Sequence, residues 1–140
     1  MATTESQARV RTSIEQFMTP SPHCIGRGQR LSTAHELMRK HRVRHLPVLD
    51  GGRLVGILSQ RDLFFIETLR DVDPAKISVE EAMSPDVYAV TPDRALGEVA
   101  AKMVDQKYGC AVVLRGTAVA GIFTTTDALR VLSSIVEAWL

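Results

Sequence analysis

A chain of 140 residues, 45% apolar and 24% charged with a net charge of +1, suits one compact domain better than two independent ones. The near-neutral charge argues against non-specific attraction to nucleic acid or to a membrane surface, and no apolar run approaches the roughly 18 residues of a membrane span. Two cysteines, Cys24 and Cys110, make no disulfide framework, and with no hydrophobic signal core at the N-terminus the expectation is a cytoplasmic protein with reduced thiols.

In chain order, residues 1–11 are small and polar and read as a flexible tail. Val10, Ile14 and Phe17 recur at helical spacing and predict a short helix that stops at Phe17 or Met18, because the residue before Pro20 disfavours the helical region. A brief extended piece follows at Cys24-Ile25. Leu31, Ala34 and Met38 line one face of a helix. Leu46 to Leu49 and Arg53 to Leu58, joined by Asp50-Gly51-Gly52, predict a β-hairpin. A closing helix begins near Gln60 and carries Leu63, Phe64, Phe65, Ile66 and Leu69. Asp71 to Lys76 is a linker, with Pro74 expected to end that helix.

The pattern then runs a second time. Val79 to Met83 is a short helix before Ser84-Pro85, and Tyr88 to Val90 is extended. Leu96, Val99 and Met103 make the helical face. Ala111 to Leu114 and Ala118 to Phe123 flank a turn at Arg115-Gly116-Thr117, and the last helix begins near Thr125. A shift of 65 positions, the distance from Val48 to Val113, also puts Met18 on Met83, Pro20 on Pro85, Gly56 on Gly121, Ile57 on Ile122 and Asp62 on Asp127 without a gap. Two copies, each β-α-β-β-α, predict an α/β (α+β) fold with pseudo-twofold symmetry. The copies span residues 12–70 and 78–140, with a linker at 71–77.

The order Met-Thr-Pro, helix, Val-Arg-His-Leu-Pro-Val at 43–48, turn, Gly-Ile-Leu-Ser-x-x-Asp-Leu at 56–63 resembles a cystathionine β-synthase (CBS) domain, and two tandem copies resemble a stand-alone CBS pair. The second copy departs from the pattern, with Val112 in place of Pro47 and Gly109-Cys110 in place of Arg44-His45. The resemblance implies a non-enzymatic sensor. It would bind an adenosine-containing ligand in clefts between the repeats and signal to a regulated partner protein. The candidates are AMP, ADP, ATP, S-adenosylmethionine or a dinucleotide.

The resemblance also assigns residues. Asp62 with Ser59 falls in one cleft and Asp127 with Thr124 in the other. Each aspartate would accept a ribose diol, each hydroxyl would bond a sugar or phosphate oxygen, and the helix N-terminus would favour an anion. Arg61, Thr126, Arg44 and His45 match phosphate-facing positions. Val43, Ile57, Tyr108 and Ile122 would wall a purine, and Thr19, Ile25, Ser84 and Val90 match segments whose backbone reads the adenine edge. Arginines in the first copy favour AMP, ADP or ATP over S-adenosylmethionine. On local sequence alone Ser59-x-x-Asp62 and Thr124-x-x-Asp127 are equally capping boxes, and the two roles are compatible.

His35 and His41 lack metal-pair spacing, His45 lies four residues after His41 but is expected to have left the helix, and His23-Cys24 has no further ligands in sight, so no metal site is expected. No Gly-rich phosphate loop or nucleophile–base pair occurs. In the last helix Ala128, Leu132, Ile135 and Trp139 form one stripe, and Leu129, Val131, Val136 and Leu140 lie on another side. Helices apolar on more than one side need more than one partner, so Leu63–Leu69 and Ala128–Leu140 predict a homodimer. The alternative is a structural dimerisation module with no small-molecule ligand.

Overall fold

In the computed structural model, which describes residues 12–69 and 71–139, the repeated spacing becomes repeated elements. The expected tail at 1–11, Val10 and Leu140 lie outside the described residues. A 3-10 turn, Ile14–Gln16, is followed by β1 (Thr19–Pro20), β2 (Ile25–Gly26), α1 (Leu31–His41), β3 (His45–Asp50), β4 (Arg53–Ser59) and α2 (Gln60–Glu67). The second pass gives α3 (Val79–Ala82), β5 (Ala89–Val90), α4 (Leu96–Gln106), β6 (Cys110–Arg115), β7 (Ala118–Thr124) and α5 (Thr125–Trp139). No described helix is long and apolar enough to cross a membrane.

Two local expectations change. The predicted helix through Ile14 and Phe17 is a single 3-10 turn, because the amides of Ile14 and Glu15 bond the carbonyls of Arg94 (2.7 Å) and Pro92 (3.2 Å). Pro74 does not end α2. That helix stops at Glu67, where the Thr68 hydroxyl donates to the Phe65 carbonyl (2.7 Å) and its amide reaches the carbonyls of Phe64 and Phe65. The two hairpins also turn differently. Gly51 and Gly52 both have positive φ (57° and 83°), as a type I′ turn requires, whereas in the second only Gly116 does (64°), the pattern of type II′.

Packing divides the described residues into a unit within 22–87 and a second unit of 12–21 with 88–139. These units are not the sequence copies. The segment that opens each copy packs on the sheet of the other.

In the 22–87 unit, parallel β2–β3 and antiparallel β3–β4 pairing makes the sheet β2-β3-β4. Ser84 bridges to Ile57 on its β4 edge, with both amide-to-carbonyl bonds at 2.9 Å. Val79 is fully buried with Ile25, Leu31, Ala34, Met38, Leu46, Val48, Leu58 and Leu63. Backbone bonds from Val79 to Gln29 (2.7 Å) and from Leu31 to Ile77 (3.0 Å) lock that segment in place.

The second unit repeats the design. Its sheet is β1-β7-β6-β5, with Thr19 opposite Ile122. Ile14 takes the place of Val79, buried with Val90, Val99, Met103, Ala111, Val113 and Phe123. Leu96 donates to Thr12 (2.7 Å), as Leu31 donates to Ile77.

Gly56 and Gly121 are where these segments cross the sheets. A Cβ at Gly56 would stand 2.9 Å from the Ser84 carbonyl oxygen and collide with the Met83 thioether; at Gly121 it would collide with Met18. Gly56→Ala should therefore lose about 1–3 kcal/mol in urea unfolding, the usual cost of overpacking. Gly97→Ala, in α4 with nothing within 4 Å, should gain about 0.4–1 kcal/mol. Equal effects of the two would contradict the close crossing.

Candidate functional site

In the 22–87 unit the candidate residues gather where β4 runs into α2. Ser59 is the N-cap of α2: its hydroxyl accepts from the Asp62 amide (3.1 Å), and the Asp62 Oδ2 accepts from the Ser59 amide (2.8 Å). The capping box is thus formed in full, satisfying two helix-end amides. It uses one carboxylate oxygen. Asp62 Oδ1 has no hydrogen-bond or ion-pair partner among the described residues.

Three segments surround that carboxylate. His45 opens β3 directly opposite Ser59, and the Arg44 carbonyl accepts from the Gln60 amide (2.8 Å), so Val43, Arg44 and His45 lie beside the start of α2. Val43 and Ile57 are half-buried, whereas Arg44 and Arg61 are exposed and engage no carboxylate among the described residues. Ser84 lies against Ile57 with its amide already bonded, which leaves only the second lone pair of its carbonyl to read a purine edge. Ile25 is elsewhere: its side chain is fully buried in the core, on the β2 edge of the sheet.

The second unit brings together Thr19, Tyr108, Ile122, Thr124, Thr126 and Asp127. The Thr125 amide donates to the Gly109 carbonyl (3.2 Å), placing Tyr108 beside the start of α5. Val90 and Ile122 are buried, the first as a core residue on β5. Thr126 is exposed. Here the capping pair is more heavily bonded. Asp127 is only 4% exposed; its Oδ2 accepts from the Thr124 amide (2.9 Å) and hydroxyl (3.1 Å), and its Oδ1 accepts from the Thr19 hydroxyl (3.0 Å) and Arg130 Nη1 (2.8 Å).

Sequence reasoning placed neither Arg130 nor Tyr88 in the site; the Tyr88 ring lies 5.2 Å from that of Tyr108. A signal for the first existed, since the repeat shift puts Phe65 in the place of Arg130.

The electrostatics sharpen the roles. Burial, aided by Arg44, lowers the pKa of His45, with Asp62 opposing. The imidazole is therefore neutral near pH 7 and offers a hydrogen bond and not a charge, which leaves Arg44 and Arg61 as the cations beside Asp62. Burial pushes the Cys110 thiol up to about 12 and raises Cys24, so neither is an activated nucleophile. His23 stacks on His41 (ring centroids 3.6 Å apart) and His35 pairs with Glu67. No cluster of three or more metal-ligating side chains occurs among the described residues.

The model of the CBS domain family matches residues 14–67 and 79–134. The chain is similar to a Vibrio cholerae structure whose name, AcuB, refers to acetoin utilization: 32% identity, 89% of this chain and 93% of that one, TM-score 0.80. It is similar to the CBS domain pair of protein MJ0100 in complex with 5′-methylthioadenosine and S-adenosyl-L-methionine, at 25% identity over 88% of this chain and 97% of that one, TM-score 0.78. Hypoxic response protein 1 of Mycobacterium tuberculosis is 26% identical over 120 residues, 85% of this chain and 84% of the relative. The A-adding tRNA nucleotidyltransferase of Geobacter sulfurreducens is 28% identical over 100 residues, but the match spans 71% of this chain and only 11% of that enzyme.

The His45 shift has a consequence for stability. Because its folded pKa lies below 6.5, the unfolded chain binds more protons as pH falls through 6.5, and stability is lost toward the lowered folded value. The melting temperature should fall between about pH 7.5 and pH 5.5, and His45→Asn should flatten that slope. An unchanged slope in the variant would remove His45 as its source.

Proposed function

The chain belongs to the CBS domain family, and on that premise we propose that it is a non-enzymatic regulatory module. It binds an adenosine-containing ligand, AMP, ADP or ATP in preference to S-adenosylmethionine, and signals occupancy to a partner protein. The observation that carries the reading is the divided use of Asp62. One carboxylate oxygen caps α2, and the other is left to accept from a ribose hydroxyl.

The capping and ligand roles therefore do not compete. Ser59 would bond the sugar, Val43 and Ile57 would wall the purine, and His45 would donate as a neutral imidazole. Arg44 and Arg61, at the N-terminal end of α2, would take the phosphates, where the free amides and helix dipole add to their charge. Support for the adenosine part comes from the MJ0100 pair, whose two ligands share that group. Support for phosphate comes from these two arginines, which engage no carboxylate among the described residues.

The module would act as a homodimer in the cytoplasm. Both closing helices turn large apolar side chains outward: Phe64 and Phe65 on α2, with Leu69 exposed just beyond its end, and Leu129, Leu132, Ile135, Val136 and Trp139 on α5. Inward on α5 are Ala128 and Val131, one from each of the two stripes read in the sequence. Five exposed large apolar residues on one helix are a surface that water does not favour, and a second copy of the chain is the occupant that symmetry supplies. Without ligand binding, the same helices would serve a purely structural dimerisation module.

Calorimetry and thermal shift with AMP, ADP, ATP, S-adenosylmethionine and 5′-methylthioadenosine test the ligand. At a hundred times its dissociation constant a ligand should add about 2.7 kcal/mol, and Asp62→Ala should abolish the effect. A flat response to all five would leave the structural reading. Light scattering should give about twice the 15.4 kDa chain mass, and Leu132→Glu should return the chain to monomer; a monomeric wild type would exclude the dimer.

A further inference from the structure

We infer that the two aspartate sites are not equivalent. The Asp62 site is open, whereas Thr19 and Arg130 close the Asp127 site from within, so the chain takes one nucleoside and not two. This rests on the reading of Asp62 as the acceptor of a ribose diol.

The argument is a count of acceptor capacity. A carboxylate offers about four lone-pair positions. On Asp127 four protein donors use them: the Thr19 hydroxyl and Arg130 Nη1 on Oδ1, the Thr124 amide and hydroxyl on Oδ2. A diol must place two O–H donors on the carboxylate and finds no position left. On Asp62 a single donor, the Ser59 amide on Oδ2, is present among the described residues, so both hydroxyls can be accepted.

Opening the second site would mean parting a buried carboxylate from its cation. Asp127 is 4% exposed and Arg130 is 68% exposed, so parting them leaves the buried carboxylate, and not the guanidinium, without compensation. The nucleoside would have to supply that energy before gaining anything from the site. In the Asp62 site no such contact among the described residues precedes binding.

Two substitutions between the copies produce the difference. Phe65 stands where Arg130 stands in the second copy, and has no donor to offer. Ser84 stands where Thr19 does, and its hydroxyl is turned to the Asp86 carbonyl (3.5 Å) and not to Asp62. Thr19 and Asp127 are 108 residues apart in the chain. Their bond also fastens the segment around β1 to the start of α5, so the closed site serves as a clasp.

Titration calorimetry with ATP reads the stoichiometry. The wild-type chain should bind one ATP, and Asp62→Ala none. The double variant Thr19→Val/Arg130→Phe, which frees both positions on Oδ1 and installs the first copy's residue at 130, should raise the count to two per chain, whereas Arg130→Phe alone frees one position and should leave the count at one. The double variant Phe65→Arg/Ser84→Thr, which copies both halves of the clasp into the first site, should weaken binding there at least tenfold. Two equivalents on the wild type, or binding that survives Asp62→Ala, would overturn the closure while leaving the nucleotide reading intact. If ATP binds neither the wild type nor the Arg130 variants, the nucleotide reading itself fails and the closure with it.

Discussion

Each unit depends on a short apolar plug supplied by the sequence copy that does not provide its β-hairpin. Val79 and Ile14 are both fully buried, a contribution of about 1.5–3 kcal/mol each by area removed from water. The plug also fixes the segment next to it in the chain. Beyond Val79 the chain runs over Gly56, with the Met83 thioether in the space a side chain would fill, and Ser84 is bonded to Ile57. Beyond Ile14, Met18 lies over Gly121 and Thr19 faces Ile122. A core contact thereby sets the position of a wall of the candidate site, and each site is assembled from both copies of the sequence.

The capping box shows how one local motif acquires two roles. Ser59 with Asp62 and Thr124 with Asp127 make the same reciprocal bonds at the starts of α2 and α5. What differs is what reaches the remaining oxygen. In one unit that is the hydroxyl of Thr19 and the guanidinium of Arg130, and in the other no described residue reaches it. The cap is a property of four consecutive residues, whereas the availability of the carboxylate is a property of the neighbourhood. This is why the motif alone reads first as a cap, and only the family resemblance turns it toward ligand binding.

The charge around Asp62 is similarly divided. His45 is kept neutral by burial, so positive charge beside the carboxylate resides on the exposed side chains of Arg44 and Arg61. Exposed guanidinium groups beside a helix N-terminus suit phosphate oxygens by their planar set of donors, while the backbone geometry of Ser59, Asp62 and Ile57 is held by the sheet and the cap. On the proposed reading, a sugar held by the sheet and the cap beside exposed arginines would suit nucleotides that share adenosine.

Much of this molecule was legible in its sequence because it is local and occurs twice. Leu31, Ala34 and Met38 and their equivalents give helices at the expected places, the glycines at 51, 52 and 116 give the hairpins, and Gln60 and Thr125 start the closing helices. The exchange of segments was not legible. Ile14 and Val79 are equivalent under the repeat, so either could fill either core with the same local pattern, and only the packing of the whole chain selects one. Nor was the facing of α5, since a helix apolar on several sides carries no marker of its inward side until Ala128 and Val131 meet the core. The sequence by itself determined the elements, their order and the two caps, because those follow from bonds within a few residues. Tertiary structure decided which copies share a core and which aspartate is left open, because those depend on partners as distant as Thr19 and Asp127.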